Sequence, residues 1–343
     1  MPETVTFHPD LLESHCLIDA RTPLEFAEDH LPGAHNVPLL TNEERVEVGT
    51  LYKQQGPHVA RIRGMELTAP RFPAIMHEIA GLAAGRPILV YCWRGGLRSR
   101  TIATVMELTG FPVAQLVGGY KAFRAVVSEA FDNFTPPGPL VVLHGMTGIG
   151  KTTLLDKLAA RGEATVDLEA LARHRGSAFG SLGLSQDELT QKHFETLVWD
   201  AFRRLPPGRP VFVEGESRRI GRMTLPGNLY DVMGESCKVW CTASLETRVA
   251  RLTAEYGLRE YADGLGEALL RIKKKLGGDK YAEIAGYLER WEMEPFMTEL
   301  IVSYYDRMYY KVREWQEDLT LSLEDFDAAA EELVAAVEGS RAT

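Results

Sequence analysis

The octapeptide Gly145-Met-Thr-Gly-Ile-Gly-Lys-Thr152 constrains the fold of this chain more than any other stretch of it. It fits G-x-x-x-x-G-K-[ST] and stands between the apolar run Leu140–Leu143 and a helix-forming run over Thr152–Ala160. In that strand-loop-helix setting backbone N–H groups curl around an anion at a helix N-terminus. Gly145, Thr147, Gly148 and Gly150 belong to the loop, Lys151 supplies a compact charge, and the Thr152 hydroxyl is a ligand for Mg²⁺ if that ion binds. No other metal ligand is marked with certainty. A bound phosphate is expected, and its identity is open. Metal-binding carboxylates would come from Glu214, ending Val211-Phe-Val-Glu214, and Asp167, ending Thr165-Val-Asp167; a solvated or capping role explains either equally well.

Length argues for a second unit beside this one, since 343 residues is more than twice the roughly 150 of a compact domain. The seam is Phe134-Thr-Pro-Pro-Gly-Pro139, which divides the chain into domains at 1–135 and 136–343. Before it, strand-like Cys16–Asp19, Pro87–Cys92 and Val113–Val117 alternate with helix-like Leu24–Asp29, Phe72–Leu82, Ser99–Leu108 and Lys121–Phe131. After it, strand-like Leu140–Leu143, Val211–Val213 and Lys238–Cys241 are separated by helical runs at Thr152–Ala160, Ser185–Arg204 and Leu245–Tyr256. The expectation is an α/β chain with a parallel sheet in each half, the second half P-loop NTPase-like with an almost wholly helical extension from Leu265.

With 48 acidic against 38 basic residues the net charge is −10, which excludes coating nucleic acid by bulk charge but leaves local basic faces open. No apolar run reaches the roughly 18 residues that span a bilayer, and Met1-Pro-Glu-Thr4 lacks a signal sequence, so a cytoplasmic protein without a membrane partner is expected. Cys16, Cys92, Cys237 and Cys241 are too dispersed for a disulfide framework and read as thiols. Cys237 and Cys241 straddle an apolar run and read as packing residues, and His144 as a satisfied histidine at a strand end. Cys92 is different. In Cys92-Trp-Arg-Gly-Gly-Leu-Arg-Ser99 it follows a strand and precedes a helix, where loop amides, the helix dipole, Arg94 and Arg98 favour a thiolate and hold an oxyanion. Cys92 therefore reads as a nucleophile.

Upstream, Asp19-Ala-Arg-Thr-Pro-Leu-Glu-Phe26 and His30-Leu-Pro-Gly-Ala-His-Asn-Val37 precede this loop. With it they resemble a rhodanese domain over residues 1–133, which implies a sulfur-carrying role for Cys92. The Cys-x5-Arg spacing is longer than a typical sulfurtransferase loop and matches phosphatases of the same fold, so the cradle would accept a phosphate-sized anion.

Together the two halves resemble the tRNA 2-selenouridine synthase family. The resemblance extends to Tyr91–Ser99, Gly145–Thr152, Asp167-Leu-Glu-Ala-Leu-Ala-Arg-His-Arg-Gly-Ser-Ala-Phe-Gly180 and Glu214-Gly-Glu-Ser-Arg-Arg-Ile-Gly221. The chain departs from the pattern at Gly215, where an acidic residue is expected. The resemblance implies a transferase acting on tRNA with 2-thiouridine at the wobble position. It would S-geranylate the base from geranyl diphosphate, then replace sulfur by selenium from selenophosphate. The P-loop would hold the diphosphate, and Cys92, Arg94 and Arg98 would handle the selenium. No tightly bound cofactor is expected beyond Mg²⁺, and the selenophosphate-producing enzyme is a candidate partner.

Basic clusters at Arg173-His-Arg175 and Arg218-Arg219, with Arg222, are candidate tRNA-binding groups; Arg271-Ile-Lys-Lys-Lys275 fits RNA binding and a solvated helix face equally. Phe179, Phe194 and Trp199 are candidate walls for a geranyl chain, though aromatics at helical spacing more often form core. Two alternatives stand beside this reading. One is a Cys-x5-Arg phosphatase, arsenate-type reductase or sulfurtransferase with a regulatory P-loop domain; the other is an RNA-binding or nucleotide-sensing module.

Overall fold

The computed structural model describes residues 2–308 and 315–339 and divides into two compact units. One comprises Met1–Asp132 with Thr190–Asp200, the other Asn133–Leu189 with Ala201–Thr343.

The first unit is built on β1 (Glu3–Val5), β2 (Cys16–Asp19), β3 (His35–Asn36), β4 (Ile88–Tyr91) and β5 (Val113–Leu116), all parallel in the order β1-β5-β4-β2-β3. Every residue of β2 and β4 is buried, as a parallel sheet covered on both faces requires. Cys16, Ile18, Ile79, Ile88, Val90, Ile102 and Met106 form a core between the sheet and the helices Phe72–Ala83 and Leu97–Leu108. A helical hairpin, Asn42–Gln55 and Pro57–Thr68, is absent from the sequence-based expectation. The first of these helices buries none of its residues, so it has no apolar stripe to betray it. Its signals are the Thr41–Glu44 capping box, Gly56 in the turn, and Pro57 at the start of the second helix.

The second unit has the strands β6 (Leu140–Gly145), β7 (Ala164–Val166), β8 (Val211–Glu214), β9 (Arg219–Ile220), β10 (Met223–Thr224), β11 (Cys237–Thr242) and β12 (Leu319–Ser322). Five are parallel in the order β12-β11-β6-β8-β7, and β9 with β10 makes a separate antiparallel hairpin. The tail is not wholly helical: β12 pairs with β11 from Val239↔Leu319 to Thr242↔Ser322 and forms the edge of the sheet. Leu321 and Leu323 then enter the core with Val141, Leu143, Leu154, Phe212 and Leu333. The tail helices Ala262–Leu276, Gly278–Glu289 and Met293–Leu300 make a second core with Phe179, Leu252 and Tyr256.

Thr190–Asp200 groups by its contacts with the first unit, whereas the expected second domain runs unbroken through 136–343. The cause is Asp29, a fully buried carboxylate of the first unit. It accepts from Thr196 Oγ1 at 3.0 Å and Tyr120 Oη at 2.9 Å, and meets His193 Nδ1 at 3.2 Å. Trp199 completes the attachment by packing edge-on against Phe123 at 5.6 Å and against Phe7 at 6.4 Å. Trp199 and Phe194 are therefore core residues rather than walls of a ligand slot.

Candidate functional site

Cys92 leaves the carboxyl end of β4, the middle strand of its sheet, and the helix Leu97–Leu108 begins five residues later. Its sulfur is the focus of two donors, Gly96 N–H and Ser99 Oγ–H, each at 3.2 Å. Behind the loop, Tyr120 N–H donates to Cys92 O at 2.8 Å, and the Tyr120 ring lies 5.3 Å from Trp93. Arg94 is exposed at the loop. Arg98 instead pairs with Glu25, the residue that closes the capping box with Thr22 at the start of helix Pro23–Glu28. That pairing holds the Glu25 carboxyl below its ordinary range against the opposing effect of its burial.

The string from Asp19 to Phe26 has a structural purpose as well. Asp19 and Arg21 form a fully buried pair at 2.6 Å, and Arg21 also donates to Asp29 O at 2.6 Å. The Arg21 guanidinium lies 4.0 Å from the Tyr120 ring centroid, so the pair braces the wall behind the cysteine loop.

Gly145–Thr152 leaves the end of β6, again the middle strand, and opens the helix Lys151–Ala160. Gly150 sits at the helix start with φ 90°, where a side chain would be strained and would also strike the Phe326 ring. Two arginines support the loop from its outer side: Arg248 donates to Thr147 O at 3.0 Å, and Arg251 to Ile149 O at 2.7 Å. Lys151 Nζ lies 3.2 Å from Glu216 Oε1. Burial and the neighbouring Glu216 push the Glu169 carboxyl up to about 9. Glu214 is fully buried, accepts from Glu169 N–H at 2.8 Å, and is pushed well up by burial and by Asp167. Its Oε2 has no donor.

Residues 138–338 match the tRNA 2-selenouridine synthase AAA domain, and residues 6–126 match the rhodanese-like domain. A tRNA 2-selenouridine synthase of Cupriavidus necator is 36% identical over 92% of this chain and 93% of its own. One from Ectopseudomonas mendocina is 35% identical over 92% and 91%, and one from Shewanella loihica 34% over 87% of each. The chain belongs to the tRNA 2-selenouridine synthase family.

In this member of the tRNA 2-selenouridine synthase family, Gly215 has a local cause. A side chain there would run into the His144 ring, which itself packs against Trp315 at 4.3 Å. The family segments Asp167–Gly180 and Glu214–Gly221 follow β7 and β8, so they leave the same edge of the sheet as the P-loop. They bring Glu169, Glu216 and Lys151 together, a constellation that a sequence search for a metal carboxylate alone does not reveal.

The basic residues separate into two groups. Arg173, Arg218 and Arg219 are exposed. Arg175 is a strut, bound to Glu255 at 2.5 Å and to Leu182 O at 2.6 Å. Arg222 is likewise tied to Gln186 through its backbone and its guanidinium. Arg271 and Lys273–275 lie exposed on the helix Ala262–Leu276, and Arg271 is near enough to help depress the His174 imidazole, mainly lowered by burial. Phe179 is a core residue. Cys241 is buried as expected, but Cys237 is exposed and does not pack. Among the described residues no helix is long and apolar enough to cross a membrane.

The raised Glu169 carboxyl sets a pH dependence. The folded chain keeps a proton that the unfolded chain releases near 4.5, so this contribution is complete below that pH and is lost as pH rises toward about 9. Glu169→Gln, a permanent mimic of the protonated form, should flatten the decline in stability over that window. Urea midpoints of parent and variant across the window check it; parallel declines would show that Glu169 is ionised in the folded chain.

Proposed function

We propose that the two loops act in turn on one nucleoside. The chain is a tRNA-modifying enzyme of the 2-selenouridine synthase family, and the observation that carries the two-step reading is the pair of loops that each open a helix with unpaired first-turn amides. Each stands at the carboxyl end of the middle strand of its own parallel sheet. The family reaction as read here uses two anionic co-substrates, geranyl diphosphate and selenophosphate.

In the first step the sulfur of wobble 2-thiouridine attacks C1 of geranyl diphosphate, the C–O bond breaks, diphosphate leaves with the electron pair, and the N3 proton of the base passes to water. Lys151 and the amides of Gly145–Thr152 stabilise that developing charge. Before substrate binds Lys151 is held by Glu216, and it would exchange this carboxylate for the phosphate oxygens. Alkylation turns a poor leaving group into a good one. In the second step the selenium of selenophosphate attacks C2, the C–S bond breaks, and the geranyl thiolate departs and takes a proton from water; water then attacks phosphorus, the Se–P bond breaks with its electron pair left on selenium, and phosphate leaves. Cys92, with Arg94 beside it, serves this step; Arg98 acts through its bond to Glu25 by fixing the first turn of the loop helix.

Mg²⁺ fits the P-loop side. Glu214 Oε2 is buried without a donor, and Thr152 is exposed at the loop. Thr152, Glu214 and Asp167 would hold the ion, which would neutralise diphosphate charge. The tRNA would cross the exposed Arg173, Arg218 and Arg219. A cytoplasmic location and delivery of selenophosphate by the enzyme that makes it complete the proposal.

Nucleoside mass analysis tests the division of labour. Cys92→Ala, given thiolated tRNA, geranyl diphosphate and selenophosphate, should accumulate S-geranylated tRNA and make no selenouridine; full selenation by this variant would withdraw Cys92 from the chemistry. For the RNA surface, Arg173→Ala, Arg218→Ala and Arg219→Ala together should lower the log-log salt slope of tRNA binding by about 0.9 for each phosphate that is no longer neutralised. Arg175→Ala should instead cost stability. An unchanged slope in the triple variant would move the RNA to another face.

A further inference from the structure

The donors around Cys92 are ordered by one buried side chain that the reaction scheme does not use. Gln115 lies on β5 and is 3% exposed. Its Nε2 shares two hydrogens among three acceptors, Gly95 O at 2.8 Å, Ser99 Oγ at 2.9 Å and, in a bifurcated bond, Gly96 O at 3.2 Å.

Peptide geometry gives these bonds their consequence. In a trans peptide the carbonyl of one residue and the N–H of the next point in opposite directions. Tying Gly95 O to Gln115 therefore turns Gly96 N–H away from Gln115, and that N–H donates to Cys92 Sγ. Tying Gly96 O turns Leu97 N–H the same way, at the first position of a helix, where an amide has no intrahelical acceptor. Ser99 Oγ accepts from Gln115, so its own hydrogen must point elsewhere, and Cys92 Sγ is 3.2 Å away. The other acceptor in reach, Gly96 O, is slightly farther at 3.3 Å, so the hydroxyl is shared between the sulfur and that carbonyl.

We propose that Gln115 is the positioning residue of the cysteine loop, turning the Gly96 N–H and the Ser99 hydroxyl toward the Cys92 sulfur and leaving the Leu97 N–H free to meet an anionic co-substrate. The role follows from its chemistry. Glutamate would present oxygens to two carbonyls and a hydroxyl, and methionine would match the length without any donor. The inference rests on the reading of Cys92 as the thiol of the selenium step, and it concerns how donors are aimed at that sulfur.

The test is the pH profile of Cys92 alkylation by iodoacetamide in the full chain, read on the Cys92 peptide by mass so that the exposed Cys237 does not interfere. Gln115→Met should move the alkylation midpoint up by about one pH unit, making Cys92 about ten-fold less reactive below it, because hydrogen bonds to a charged sulfur stabilise it by that order. Selenation of S-geranylated tRNA should slow in step. Should Gln115→Met fail to fold, Ser99→Ala carries the test: it keeps both carbonyl bonds, loses one donor, and should shift the midpoint in the same direction by less. Profiles that superimpose on the parent's would overturn the proposal. Alkylation reports on the thiol alone, so full selenation by Cys92→Ala would end the chalcogen reading while leaving the Gln115 result standing.

Discussion

The first-turn amides of a helix have no acceptors within the helix, and everything chemical in this chain is arranged around that shortage. A parallel sheet with crossover helices delivers such amides to the carboxyl ends of its strands. Both units place their loop after the middle strand, β4 in one and β6 in the other, where neighbouring strands on either side supply supporting residues. Gln115 comes from the strand adjoining β4, and Glu214 from the strand adjoining β6. The two units thus share one backbone device, a loop that opens a helix after the middle strand, and carry different reactive side chains on it.

Charge is balanced locally in both. Arg98 has Glu25, Arg21 has Asp19, and Lys151 has Glu216, whose neighbour Glu169 keeps a proton. Each of these positive groups is thereby held in place, Lys151 at 3.2 Å from a carboxylate oxygen. The buried Asp19–Arg21 pair is better understood as fixing position than as adding stability, since moving two charges out of water offsets much of their attraction. What it fixes is Tyr120, which donates to Asp29 and backs the cysteine loop.

Much of this is legible in the sequence because the relevant signals are local. The buried strands are short apolar runs, the P-loop is contiguous, and Cys92 stands in an eight-residue string with its arginines. The parts that escape depend on partners distant in sequence. The hairpin over Asn42–Thr68 carries no apolar face, and β12 is four alternating residues in a helical tail. Thr190–Asp200 reads as an ordinary amphipathic helix until Asp29 is found beneath it. Gln115 looks like the polar step of a strand; only the fold shows two carbonyls and a hydroxyl facing it. Likewise the sequence marks Arg175 and Arg98 as positive charges without showing that each already has a carboxylate.

Alkylation and selenation are assigned to different loops, and pre-geranylated tRNA separates the two by removing the first step. Supplied with this substrate and selenophosphate, Lys151→Ala should form selenouridine at close to the parental rate. On thiolated tRNA with geranyl diphosphate, the same variant should lose two to three orders of magnitude, the effect of removing about 3 kcal/mol of leaving-group stabilisation. A Lys151→Ala variant that alkylates thiolated tRNA normally and fails on the pre-geranylated substrate would contradict the account.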